Sequence, residues 1–374
     1  MSRPGLETVD FNVHGVIGIR AVDASEHDRA VVRRQIGPLE GQLDREPDIV
    51  LRFVDRVEVG SRVRFVGLDD VAYTDEALVV LRGRHQAPTR TRIPVDRIGD
   101  PCEIVCEHGL AAVPFLVAIV NLTALARGYV PVHAAAFLYE GNGILVTGWS
   151  KGGKTETLLG FMALGAEYVA DEWLYVDPTT STMTGLPEPM RIWDWQLRAM
   201  PAFGVHVSAR RRAGLRSLRA VTELMRRTDD VLRGSTAAGR TLRRARPLLE
   251  RQLSVQVPPE RLFPGRTLAR APIDRIVFVV SADRPDIDVA PVDAERVALR
   301  AAISTDHERL DLEALHLKSR FAFPAASNPW LERASALGRE RLVAAFRDRP
   351  AIMVEHPYPP DIPALARAIE PHLR

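Results

Sequence analysis

Ile144-Leu145-Val146-Thr147-Gly148-Trp149-Ser150-Lys151-Gly152-Gly153-Lys154-Thr155-Glu156-Thr157-Leu158-Leu159 decides how the rest of the chain is read. Gly148 to Thr155 fits G-x-x-x-x-G-K-[ST], the phosphate-loop pattern. The apolar run before it reads as a buried strand and the run from Glu156 to Leu164 as a helix with an apolar face. Gly148, Gly152 and Gly153 let the backbone of Ser150 and Lys151 curl, so that successive N–H groups point inward at the positive end of that helix. Phosphate oxygens dock in such a nest. Lys154 would reach the β- and γ-phosphates of ATP, and the Thr155 hydroxyl would ligate the bridging Mg²⁺. The chain carries only three lysines, Lys151, Lys154 and Lys318, among its fifty basic residues, so two of the three fall inside the loop.

Gly148-Trp149-Ser150-Lys151-Gly152 also fits G-x-S-x-G, the nucleophile elbow of a serine hydrolase built on Ser150. That reading leaves Lys154-Thr155 unexplained. It also needs an acid and then a histidine downstream, and His307, His316, His356 and His372 stand in no recognisable setting.

The chain has 374 residues, 46% hydrophobic and 26% charged, which suits a globular protein with two domains. A net charge of +2 gives no global attraction to nucleic acid. Cys102 and Cys106 imply neither a disulfide framework nor a zinc site, and a reducing cytoplasm fits them. The N-terminal stretch lacks the shape of a signal peptide. Gly109 to Ala126, the most apolar stretch, is interrupted by Pro114 and Asn121 and reads as a buried helix rather than a membrane span.

Residues 1–105 read as a small β-rich domain. Ile49–Val54, Arg62–Val66 and Ala77–Leu81 are short strand-like runs, with a helix expected between Ser25 and Arg45. His14, His27 and His85 are isolated. Val132 to Leu138, the turn Gly141-Asn142-Gly143 and Ile144 to Thr147 predict an antiparallel hairpin that feeds the loop. Beyond the loop helix, Glu167 to Ala170 reads as a strand ending in Asp171-Glu172, about fifteen residues past Thr155. Two carboxylates there are placed to meet a metal and a nucleophile.

His133-Ala134-Ala135, the hairpin, Gly148 to Glu156, and Val169-Ala170-Asp171-Glu172 together resemble the bacterial HPr kinase/phosphorylase family and its relatives, which include serine kinases that tailor lasso peptides. The resemblance covers residues 108–178 and, loosely, 273–303. It implies an α/β fold of the phosphoenolpyruvate carboxykinase type, a mixed-sheet P-loop domain over residues 106–374. It implies that Lys154 and Thr155 hold phosphate and magnesium, with Glu156 near the metal, that Asp171 is the catalytic base, and that His133 partners that base. Glu172 replaces the family's second aspartate, and a longer carboxylate still ligates Mg²⁺. No counterpart of the HPr-docking signature is found.

Residues 185–200, with Pro187, Pro189, Arg191, Trp193 and Trp195, read as a loop lining the site. Residues 205–266 are a helical, Arg-rich insertion, with fifteen arginines against Glu223, Asp229, Asp230, Glu250 and Glu260. Leu215, Leu218, Leu224 and Leu232, then Leu242, Leu248, Leu249 and Leu253, suggest amphipathic helices broken near Gly234 and Gly239. The insertion is either a solvated appendage or a dock for an acidic partner; base-stacking aromatics are missing, which argues against nucleic acid. Asp274–Val280 and Ala351–Val354 read as strands, and Asp293–Ile303, Leu337–Phe346 and Pro363–Leu373 as helices.

The expected activity is ATP- and Mg²⁺-dependent transfer of a phosphoryl group to a hydroxyl, serine first, of a protein, peptide or small molecule. The alternative is a nucleotide-dependent binding module without fast transfer. No membrane partner is expected, and a homo-oligomer is compatible with either reading.

Overall fold

The short apolar runs of the first hundred residues pair into one sheet. Its strands are β1 (Glu7–Val13), β2 (Ile17–Ala24), β3 (Ile49–Val54), β4 (Arg64–Phe65), β5 (Val71–Tyr73), β6 (Leu78–Val80), β7 (Thr91–Ile93) and β8 (Cys102–Glu107). They lie in the order β1-β2-β3-β8-β7-β6-β5-β4. The computed structural model describes residues 5–59, 62–67, 70–81, 89–232 and 246–373. His85, Gly234, Gly239, Leu242, Arg243 and Arg244 lie outside them.

Helix α1 (Glu26–Ile36) starts where Ser25 and Asp28 cap each other's backbone N–H groups, a capping box. Asp28 also accepts from the Gly109 N–H and meets His108 Nδ1 at 2.7 Å, tying α1 to the end of β8. Cys102 and Cys106 are unpaired and buried in β8, and burial pushes each thiol up to about 12. The apolar run from Gly109 forms a helix only over α2 (Leu116–Ala126). Gly109 takes a left-handed φ of 80° and Phe115 one of 58°, so the five residues between cannot join it.

The second sheet is mixed. Strands β9 (Val130–Tyr139), β10 (Asn142–Gly148), β11 (Glu167–Ala170), β12 (Trp173–Asp177) and β13 (Thr182–Gly185) come first in the chain. Strands β14 (Met190–Trp193) and β15 (Ser254–Val257) pair only with each other, and β16 (Arg270–Pro272), β17 (Arg275–Ser281), β18 (Asp288–Pro291) and β19 (Ala351–His356) complete the set. The order is β16-β13-β12-β9-β10-β17-β19-β18, with β11 also on β9. β10 is antiparallel to β9 and parallel to β17, which is parallel to β19. The hairpin turn falls one residue earlier than the Gly-Asn-Gly triplet suggests, with positive φ at Glu140 and Gly141. Gly143 serves a different end: a Cβ there would meet the Pro272 carbonyl oxygen at 1.8 Å.

Helices cover both faces of this sheet. On one lie α3 (Lys154–Ala163) and the penultimate helix, Ile362–Ile369, packed through Leu158, Phe161, Leu365 and Ala366. Phe137 of β9 stacks on Phe161 at 4.8 Å, a contact worth about 1 kcal/mol beyond area burial, which fixes the helix that starts at Lys154. Between them in the chain come α4 (Asp194–Ala199), α5 (Pro201–Gly204), α6 (Ala209–Leu232), α7 (Pro259–Leu262), α8 (Ala294–Ala322) and α9 (Pro329–Phe346), so the penultimate helix is α10. On the other face α8 and α9 pack through Val297, Ala301, Leu342 and Phe346. α8 runs on past Ile303, and its second half, at Leu312 and Leu315, joins the core of the first sheet. Among the described residues no helix is long and apolar enough to cross a membrane.

The segment expected as a loop at 185–200 contains β14 and α4, because β14 finds its partner in β15, a strand inside the 205–266 stretch expected to be helical. That stretch is attached to the body. Arg219 of α6 bonds Asp194 at 3.0 Å, and Arg211 Nη1 donates to the Gln256 carbonyl at 2.8 Å.

Candidate active site

β10 ends at Gly148, and α3 begins at Lys154 with Gly153 as its N-cap. Lys151 is left-handed (φ 61°), a conformation that costs a lysine about 1 kcal/mol or more and that phosphate sites commonly store. Lys154 is 5% exposed, and its ammonium donates to the carbonyls of Gly148 (3.2 Å) and Trp149 (3.0 Å). Burial lowers its proton affinity, and the charges of Glu172, Asp171, Glu308 and Glu156 oppose that shift.

The loop has a floor that sequence reasoning missed. His356, fully buried at the end of β19, places Nε2 2.9 Å from the Gly152 carbonyl oxygen and Nδ1 2.8 Å from that of Pro357. A Cβ on Gly153, at φ 107°, would lie 2.3 Å from His356 Nε2. Gly153→Ala is therefore expected to cost about 1–3 kcal/mol of stability from the backbone alone and to weaken phosphate binding. Urea denaturation checks the first effect. Pairing it with His356→Ala should restore the packing part and leave the φ part.

Asp171 sits at the junction of β11 and β12, just past a bulge of β11 against β9 between Tyr168 and Ala170, and is 2% exposed. Neither of its oxygens makes a hydrogen bond of ordinary geometry, although the Thr155 hydroxyl lies close enough to act on it. Burial first, then the charges of Glu172 and Glu156, push its carboxyl well above the usual range; the Thr155 hydroxyl and Lys154 oppose this. Glu172 points the other way. Burial would raise it, but the hydrogen bond and charge of His133, with Lys154 and Arg191, hold it below the ordinary value.

His133 does not meet Asp171, as the resemblance implies. Its Nε2 lies 3.0 Å from Glu172 Oε2 and its Nδ1 3.3 Å from Glu308 Oε1, with Trp173 stacked on the ring at 5.5 Å. The register explains this: Trp173 is opposite His133 across the β9–β12 ladder, which sets the neighbouring Glu172 beside the imidazole. Glu156 accepts from Gln196 Nε2 at 2.9 Å, and Gln196 Oε1 accepts the Trp193 N–H, so α4 holds that carboxylate against α3.

Two further carboxylates belong to the site. Glu188 has a buried oxygen without a partner, and burial, then Glu172 and Asp171, push its carboxyl up. Glu308 comes from the middle of α8, where Ser304 also donates to the Gly148 carbonyl at 3.4 Å. Neither could be found from spacing, since one sits in a Pro-rich turn and the other beyond the expected helix end. Acidic groups thus outnumber Lys154, His133 and Arg191, an electrostatic setting that favours a divalent cation. Among the described residues no three His, Cys, Asp or Glu side chains form a ready cage. Magnesium is ordinarily held by one or two carboxylates plus waters and substrate phosphates, and Thr155, Glu172 and Glu156 line one cleft with Lys154 that fits this use.

Ser150 is exposed beside Trp149, whose ring packs on His307 at 4.8 Å. Among the described residues no histidine bonds to Ser150: His316 meets Glu332 and His356 meets Gly152. Neither a scan against protein-family models nor a search of curated proteins returns a match to this chain.

Proposed function

We propose that the chain is an ATP-dependent, Mg²⁺-requiring phosphotransferase of the HPr kinase-like type, with a phosphoenolpyruvate carboxykinase-like nucleotide domain. The observation that carries the reading is the buried Asp171 carboxyl, set beside the Thr155 hydroxyl and the Lys154 charge of the loop. Loop N–H groups and Lys154 hold the phosphates. Thr155, Glu172 and Glu156 would hold Mg²⁺, which supplies charge neutralisation as the γ-phosphoryl group moves. Asp171 takes the proton of the acceptor hydroxyl; that oxygen bonds to the γ-phosphorus as the bond to the bridging oxygen breaks and ADP leaves. Burial raises the proton affinity of Asp171, which makes its ionised form a stronger acceptor for that proton.

The His133–Glu172 contact favours a second assignment within the same reaction, in which Glu172 accepts the proton and Asp171, near Thr155, faces the metal. The test of function is acceptor-dependent release of ADP from Mg²⁺-ATP, screened over serine-containing peptides and small hydroxyl compounds. Release that needs an acceptor supports the kinase. ATP binding with no release in any mixture supports the nucleotide-dependent binding module.

A further inference from the structure

The phosphate cleft opens into a larger cavity of ≈ 520 Å³, within the ordinary size of small-ligand sites. The two share Lys151, Trp193 and Tyr358. The larger one adds Trp195 of α4, Arg219 of α6 and Arg251 near the end of the Arg-rich stretch. Arg219 is fixed by its bond to Asp194, so the insertion forms one wall.

We propose that this cavity binds the base of a nucleoside triphosphate whose phosphates lie on residues 148–155. This rests on the phosphotransferase reading above. Two arguments lead there. Purine and pyrimidine rings stack on aromatic faces and on guanidinium planes, and the cavity offers Trp193, Trp195 and Tyr358 with three arginines, Arg198, Arg219 and Arg251. In an in-line transfer the nucleophile and the leaving group lie on opposite sides of the γ-phosphorus. Glu172, the chain neighbour of Asp171, and His133 line the phosphate cleft but not the larger cavity, so the acceptor side lies away from it. The leaving ADP therefore extends toward the aromatic end. On this assignment the Arg-rich insertion contributes to nucleotide recognition as well as to the outer surface.

Calorimetric titrations with Mg²⁺-ATP and with Mg²⁺-tripolyphosphate separate the base from the phosphates. Wild type is expected to bind ATP about tenfold or more tightly than tripolyphosphate, the scale of one base stack. Trp195→Ala, and independently Tyr358→Ala at an exposed position, should remove most of that advantage while tripolyphosphate still binds; Trp195→Phe should keep it. Retained tripolyphosphate binding also shows that each variant is folded. Equal wild-type affinity for the two probes, or variants that leave ATP binding unchanged, would overturn the base pocket and leave the phosphate loop standing. A wild type that binds neither probe would overturn both.

Discussion

Asp171→Asn is expected to lower phosphoryl transfer by about 10²–10⁴-fold, the range a positioned general base contributes, while Mg²⁺-ATP binds within a few-fold of wild type. Asparagine keeps the shape and removes the proton acceptor. Raising Mg²⁺ should not rescue the variant, whereas loss of a metal ligand would be eased by excess metal. Such rescue would move the proton-accepting role to Glu172. The same substitution is expected to raise the melting temperature at neutral pH. The sign follows from linkage: the native carboxyl holds its proton to a higher pH than the unfolded one, so between the two values the native state binds more protons. Its contribution to stability is full below the unfolded value and is lost as pH rises toward the native one. Asparagine has no such loss. An inactive variant that is also no more stable than wild type would argue that Asp171 finds a compensating partner in solution.

Lys154→Ala should weaken Mg²⁺-ATP binding and transfer together by about 10²–10³-fold, the scale for removing one charged donor from a preorganised anion site. Lys154→Arg should not restore them. The side chain is buried and its ammonium is bonded to two loop carbonyls, an arrangement fitted to a compact point charge rather than a planar guanidinium. Unchanged ATP binding in Lys154→Ala would remove the phosphate-loop reading, and labelling of Ser150 by a fluorophosphonate would then be the next observation to seek.

The loop was legible because its requirements are local. A strand, three glycines, a lysine, a threonine and a helix occupy sixteen consecutive positions, and short-range patterning carries them. The groups around the loop were not legible, because tertiary contacts bring them there. His356 touches Gly152 across 204 residues, and β14 becomes a strand only through β15, inside the stretch expected to be helical. Helix α8 is the most instructive element. Its apolar face reads as ending near Ile303, since Ser304, Thr305, Asp306, His307, Glu308 and Arg309 follow. The helix continues because its first half packs on the second sheet and its last turns on the first. The polar break between them is where it crosses the site. Asp171 and Glu172 were found as a pair, but their different partners depend on the ladder register of Trp173 and His133, which adjacency in sequence does not reveal.

The floor beneath Gly152 and Gly153 also sets a schedule. The loop is translated long before β19, yet its curvature rests on a side chain of that strand, and α3 packs on the still later α10 so closely that a Cβ at Gly160 would come 2.8 Å from Ala366. Contacts so distant in sequence form late, after the cost of closing the intervening chain is met. Gly152 precedes the side chain that supports it by 204 residues. On the phosphotransferase reading, a finished anion nest comes with β19 and not with the motif alone.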